Sequence, residues 1–307
     1  MRTQRTLRRE ASCAGIGLHG GRPVHLRLRP APVGTGIVLR RTDVSGFEAR
    51  ALVGAVCDVN HATTIRCAGE RVGTVEHLLA ALHGLGVDNV HVEVDSDEVP
   101  VLDGSAVPFV SLIQEAGIRV QAWPRRYLRV RRPVEVAFGD SWLTLCPHDG
   151  FRVSYTIEFD HPAIRRQSLT LDLDPATFQE EVAPARTFGF LRDVEALRRA
   201  GLARGGSLEN AVLLGEHEVL NPLRYPDEFV RHKILDLVGD FSLAGAPILA
   251  HAVAHKAGHA MHILAVREML RDPAAFEVVT WGEERVAHHA PASEREQAPS
   301  LEVPAGA

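Results

Sequence analysis

The stretch PDEFVRHKILDLVGDFSLAGAPILAHAVAHKAGHAMHILAVREML, residues 226–270, reads as a helix, a strand and a second helix. The first helix, about Pro226 to Gly239, follows Asn221-Pro222 and has Asp227 and Glu228 in its first turn, where the helix dipole favours carboxylates. The strand is Ile248–His255 and the second helix is Gly258–Leu270. Upstream, strands are expected near 127–136, 142–146, 152–159 and 168–173. The first part of the chain has the same order: strands near 24–30 and 37–40, a helix over 74–83, a strand over 89–95 and a helix over 107–116. Thr74 is a candidate N-cap of the 74–83 helix, and Gly84 and Gly86 can supply its left-handed stop. Val90, Val92 and Val94 alternate with His91, Glu93 and Asp95, the pattern of a strand with one buried face.

Helices interspersed with such strands imply an α+β fold of sheets covered by helices on one face. The shared order suggests two similar layered domains, residues 1–123 and 124–287, with an active site between them. A segment near 190–214 looks like an insertion, and the Pro-, Ala- and Glu-rich tail 288–307 reads as disordered.

Composition excludes several classes. The chain has 307 residues, 45% apolar and 24% charged, with net charge −5, which gives no reason to expect nucleic acid as a partner. The basic run Arg125 to Arg132 reads as a strand with one solvated face. Cys13, Cys57, Cys67 and Cys146 form no C-x-x-C pair and read as free thiols in a reducing compartment. No apolar segment follows the basic N-terminus, and the longest apolar run, Phe241 to Ala254, is shorter than the ~20 residues of a membrane span. A cytoplasmic protein with no membrane span is expected. Of 34 basic residues only Lys233 and Lys256 are lysines.

Three segments carry chemistry. In RHKILDLVGD, 231–240, His232 and Asp236 stand at i and i+4, so one helix face presents an imidazole and a carboxylate a turn apart, with Asp240 a turn further. Alone, the pair reads more readily as a surface ion pair. In TVEHLLAALHGLG, 74–86, His77 follows Glu76 at a helix start. Two histidines and an aspartate together make three metal ligands with a fourth position open for water, and Glu76, beside a ligand, is placed as general base. In HKAGHA, 255–260, His259 opens a helix and, when protonated, could stabilise an oxyanion or protonate a leaving amine, with Asp240 holding its charge. Asp103 and Ser105 in the segment DGSAVPF read as caps of the helix that Pro108 starts, and His19 lies on a glycine-flanked turn.

These segments, with GIGLHGG (15–21), PVLDGSAVPF (100–109), ARTFGF (185–190), LARGGSLENAV (202–212) and KAGHA (256–260), resemble the UDP-3-O-acyl-N-acetylglucosamine deacetylase family (LpxC) over about residues 2 to 285. The resemblance implies a zinc-dependent amide hydrolase of lipid A biosynthesis, acting on a UDP-linked acylated amino sugar and needing no oligomer. It implies His77, His232 and Asp236 as metal ligands, Glu76 as base, His259 as electrostatic or acid catalyst with Asp240 as partner, and Thr187 as an oxyanion donor. Phe188 and Lys233 are implied to contact substrate, and 190–214 to form an apolar passage for the acyl chain. Leu191, Val194, Ala203, Leu208 and Ala211 are candidates to line the passage, although a plain helix core suits each as well. The donor set fits zinc and also Fe(II). A peptidase would have no use for an acyl passage, and a binding module that kept only the fold would be expected to lose Glu76, His259 or Thr187.

Overall fold

A computed structural model describes residues 3–280; the tail expected over 288–307 lies outside the described residues. The fold is α+β, with sheets packed against a few helices. In the first part of the chain a five-stranded sheet runs in the order Ala11–Ile16, Pro23–Pro30, Val90–Val94, Ile37–Arg41, Glu48–Arg50. Val24, Leu26 and Leu28 on one strand and Val90, Val92 and Val94 on its neighbour are all buried, as the alternation requires. In the second part a larger sheet is built around Ile248–His255, which pairs with Ser141–Cys146, Phe151–Glu158 and, at its start, Arg126–Val130. Among the described residues, each strand ladder joins strands on the same side of residue 125.

Several boundaries depart from the sequence reading. The run expected over 127–136 is two strands, Arg126–Val130 and Val134–Phe138, because Pro133 between them has no N–H for a ladder. Nor does its basic part have one solvated face. Arg126–Val130 lies between Ile248–His255 and Phe276–Thr280, and Tyr127 and Leu128 are both buried. Thr74 is no N-cap. It has φ 55° and turns its hydroxyl away from the helix, donating to Glu98 Oε1 at 2.8 Å, while the cap position falls to Val75 without a side-chain bond. Gly86, with φ 73°, does provide the left-handed stop. The inserted helix is Leu191–Arg199, and none of its residues is buried, so it is an exposed helix and not a core one.

Two helices set the geometry of everything that follows. Glu76–Gly84 buries Glu76 through Leu82, and Glu228–Ser242 buries thirteen of its fifteen residues, so each is enclosed on nearly all sides. They pack on one another with their backbones in contact. A Cβ placed on Gly239 would stand 2.1 Å from the carbonyl oxygen of Glu76, a separation no real side chain tolerates. Hydrogen at position 239 therefore permits the crossing, and the crossing brings the start of one helix against the middle of the other.

That contact makes the sign of one substitution informative. Helix propensity alone favours Gly239→Ala by about 1 kcal/mol. Overpacking a tight interior typically costs about 1–3 kcal/mol. Gly239→Ala is therefore expected to lower the denaturant midpoint and weaken metal retention. A raised midpoint would show that the two backbones do not meet here.

Candidate active site

The crossing collects side chains that are far apart in sequence. His77, in the first turn of its helix, meets His232 and Asp236 on the face of the other. One ligand atom from each of the three lies within 4.8 Å of the other two. Asp236 Oδ1 stands 3.3 Å from His232 Nε2 and 3.7 Å from His77 Nε2, and the two imidazoles meet edge to face with centroids 5.0 Å apart. Asp236 Oδ1 is buried and has no hydrogen-bond partner. A buried carboxylate oxygen left in that state costs free energy unless something positive meets it. With two imidazole nitrogens beside it, the donor set fits a divalent transition metal with an open coordination position.

The surrounding bonds fix these groups. His232 Nδ1 donates to the Ala185 carbonyl at 3.1 Å, which leaves Nε2 as the free nitrogen. Burial pushes this imidazole down to about 3 and keeps it neutral, as a ligand must be. Burial opposes ionisation of Asp236, but His232, Lys233 and His259 around it hold its carboxyl well below the usual range. Lys233 Nζ reaches Asp236 Oδ2 at 2.8 Å and lies 5.7 Å from the Phe188 ring centre. Phe188 in turn meets His232 edge to face.

The acid–base candidates flank this group. Glu76 is buried, its Oε2 accepts the Thr63 N–H at 3.0 Å, and burial holds its carboxyl above the ordinary glutamate value. His259 Nδ1 donates to Asp240 Oδ2 at 2.8 Å, and its Nε2 is 3.8 Å from Asp236 Oδ2. Burial by itself would lower His259, but Asp240 and Asp236 outweigh it and raise the imidazole to about 9. Asp240 also accepts from His262 Nδ1 at 2.9 Å, and His262 Nε2 meets Tyr155 Oη at 2.9 Å. Asp240, His259 and His262 could by distance hold a second ion, but both Nδ1 atoms already serve the carboxylate. A charge-holding network accounts for them.

The segment 185–188 is placed by a buried ion pair. Glu228 accepts from the Arg186 backbone N–H at 3.0 Å and from Arg186 Nε at 2.9 Å. This acid stands in the first turn of its helix, as expected, and is in addition a fully buried anchor. Thr187 follows, its N–H donating to Gly104 O at 2.8 Å. Gly104 has φ 81°, and a Cβ there would sit 1.8 Å from Asn210 O, so the turn and the insertion touch through backbone. Ser105 accepts from the Val107 N–H and donates to Asp103, but the cap position itself falls to Ala106, without a side-chain bond. Leu191 and Val194 are not among the clustered side chains; they lie on the exposed inserted helix. Thr63, Tyr155, Arg186 and His262 were given no role by the sequence, and Glu228 only that of a helix-start acid. Only His262 left a local signal, at i+3 from His259 on one helix.

Comparison with known proteins identifies the family. Residues 4–271 match the family model described as LpxC: UDP-3-O-acyl N-acetylglycosamine deacetylase. A Myxococcus xanthus protein is 53% identical over 279 residues, covering 90% of this chain and 89% of that protein. Relatives from Anaeromyxobacter dehalogenans (51% over 278 residues, 90% of each chain) and Acidithiobacillus ferrooxidans (49% over 289 residues, 92% of this chain and 94% of that protein) are similarly close. All three relatives are named UDP-3-O-acyl-N-acetylglucosamine deacetylase.

If the three-donor group holds the metal, His232→Ala and Asp236→Ala are each expected to lose most of it on elemental analysis of purified, dialysed protein. Asp240→Ala, which touches only the second network, is expected to retain it. Full retention in both of the first two variants would remove the assignment.

Proposed function

The chain belongs to the UDP-3-O-acyl-N-acetylglucosamine deacetylase family, and we propose that it hydrolyses the N-acetyl group of UDP-3-O-[(R)-3-hydroxyacyl]-N-acetylglucosamine in lipid A biosynthesis. The products are acetate and the free amine. The observation that carries this reading is the unpartnered, buried Asp236 oxygen between two imidazoles, with the buried Glu76 carboxylate and the His259 imidazole, held on Asp240, beside it.

Members of this family are metal-dependent hydrolases, and His77, His232 and Asp236 are the residues proposed to hold the ion, taken as zinc, with Fe(II) suited to the same donors. A bound divalent ion supplies Lewis acidity, polarising the amide carbonyl and making water more acidic. Glu76 takes the proton of the attacking water as its oxygen bonds to the carbonyl carbon. Protonated His259, held by Asp240, and the Thr187 hydroxyl stabilise the developing oxyanion. As the C–N bond breaks, the amine receives a proton from His259 or from Glu76.

Lys233 and Phe188 are proposed to contact the sugar, and Leu191 and Val194, with Ala203, Leu208 and Ala211, to face the acyl chain. The exposed apolar side chains Leu191 and Leu208 support an acyl surface in the insertion. Two domains, 1–123 and 124–287, are likewise proposed, supported by ladders that keep to one side of the boundary except where Pro124 pairs with Thr3. Among the described residues no helix is long and apolar enough to cross a membrane. A cytoplasmic protein acting without an obligate oligomer is the reading that goes with this function.

Purified protein is expected to release acetate from the acylated UDP-sugar, to stop with chelator, and to recover on zinc add-back. No turnover with metal bound would overturn the reading. Glu76→Ala is expected to keep the metal and lose about 10²–10⁴-fold in kcat. The pH profile should be bell-shaped. Activity rises as Glu76 deprotonates, above the ordinary glutamate range, and falls as His259 loses its proton towards about 9. Loss of the basic limb in His259→Ala would assign it. An unchanged limb there would transfer it to another group.

A further inference from the structure

Thr63 lies outside every motif that the sequence singles out, and it is fully buried beside the strand Thr64–Cys67. Two of its polar groups go to opposite sides of the acid–base machinery. The backbone N–H donates to Glu76 Oε2 at 3.0 Å, and the hydroxyl donates to Asp240 Oδ1 at 2.6 Å. Among the described residues it alone hydrogen-bonds both Glu76 and Asp240.

The division of labour on Asp240 matters. His259 and His262 both bond Oδ2, and Thr63 bonds Oδ1. Thr63 Oγ1 also stands 3.3 Å from His259 Nδ1. Rotation of a carboxylate about its last torsion is a soft motion, so a bond to one oxygen does not by itself fix the plane. Without the Thr63 hydroxyl, Oδ1 would be a buried charged oxygen with no partner, and the carboxylate could turn to recover one. His259, which hangs on the other oxygen, would move with it.

We propose that Thr63 is a positioning residue that fixes His259, through Asp240, in register with Glu76. The inference rests on the roles proposed above for Glu76 and His259. Since the bond to Glu76 comes from the backbone, substitution of the side chain removes only the link to Asp240. Thr63→Val keeps shape and deletes the hydroxyl, whereas Thr63→Ser keeps the hydroxyl and deletes a methyl.

The test measures kcat, KM and metal content for both variants, each alone and combined with His259→Ala. Thr63→Val is expected to lower kcat by about ten-fold, the scale of one charge-assisted hydrogen bond, with KM and metal content little changed. Thr63→Ser is expected to stay within about three-fold of the parent. On the His259→Ala background, Thr63→Val should cost less than about two-fold more, because residues acting as one unit are not additive. Equal losses on both backgrounds, a full rate in Thr63→Val, or loss of metal would overturn the inference. Should the valine variant fail to fold, Thr63→Ala against Thr63→Ser reads the same hydroxyl without added bulk. A normal rate in His259→Ala itself would instead remove the acid role on which the inference stands.

Discussion

The contact between the Gly239 position and the Glu76 carbonyl is the constraint on which the site depends. Two helices whose backbones touch can bring side chains from the first turn of one directly over the middle of the other. With ordinary side chains between them, helix axes stay about 8–10 Å apart. Here the missing Cβ removes that spacing at one point, and His77 reaches the face carrying His232 and Asp236. The same contact puts Glu76 beside the proposed metal position and near Asp240. A glycine that weakens the helix in isolation is thus what lets the helix be used.

A second constraint is electrical. Glu76, His77, His232, Asp236, Asp240 and His262 are all buried, an arrangement that costs free energy unless each charge is answered. Most are. Asp240 has three donors, Glu228 is met by Arg186, and Asp236 Oδ2 by Lys233. Asp236 Oδ1 is the exception, and it lies where a cation would be held. The uneven satisfaction of one carboxylate, with one oxygen tied and one left for a ligand, separates a metal position from a structural ion pair. His259 gains its charge from the same fields: the carboxylates that attract a cation also keep its proton on into the alkaline range.

Much of this was legible from residue order. The i, i+4 spacing of His232 and Asp236, the Glu76-His77 pair and the valine alternation at 90–94 are local patterns, and local geometry decides them. The family resemblance supplied what spacing could not, namely that these segments belong to one site. What stayed hidden depends on contacts across the chain. Thr63 looks like any loop threonine until Asp240, 177 residues away, is seen to accept its hydroxyl. Glu228 reads as a dipole partner until Arg186 closes over it. Thr74 was misread because a buried glutamate, Glu98, competes for its hydroxyl, a tertiary claim that overrides a capping preference. Gly239 carries no sequence mark that distinguishes a packing glycine from a breaker.

The central claim is that the crossing of two helices assembles one metal position from two imidazoles and one carboxylate. X-ray absorption on protein loaded with one equivalent of zinc tests it most directly. The account predicts a first shell of nitrogen and oxygen at about 2.0–2.2 Å, with outer-shell scattering from two imidazoles, falling to one in His77→Ala. Thiolate scattering, or a shell with three imidazoles that loses one in His259→Ala, would contradict it.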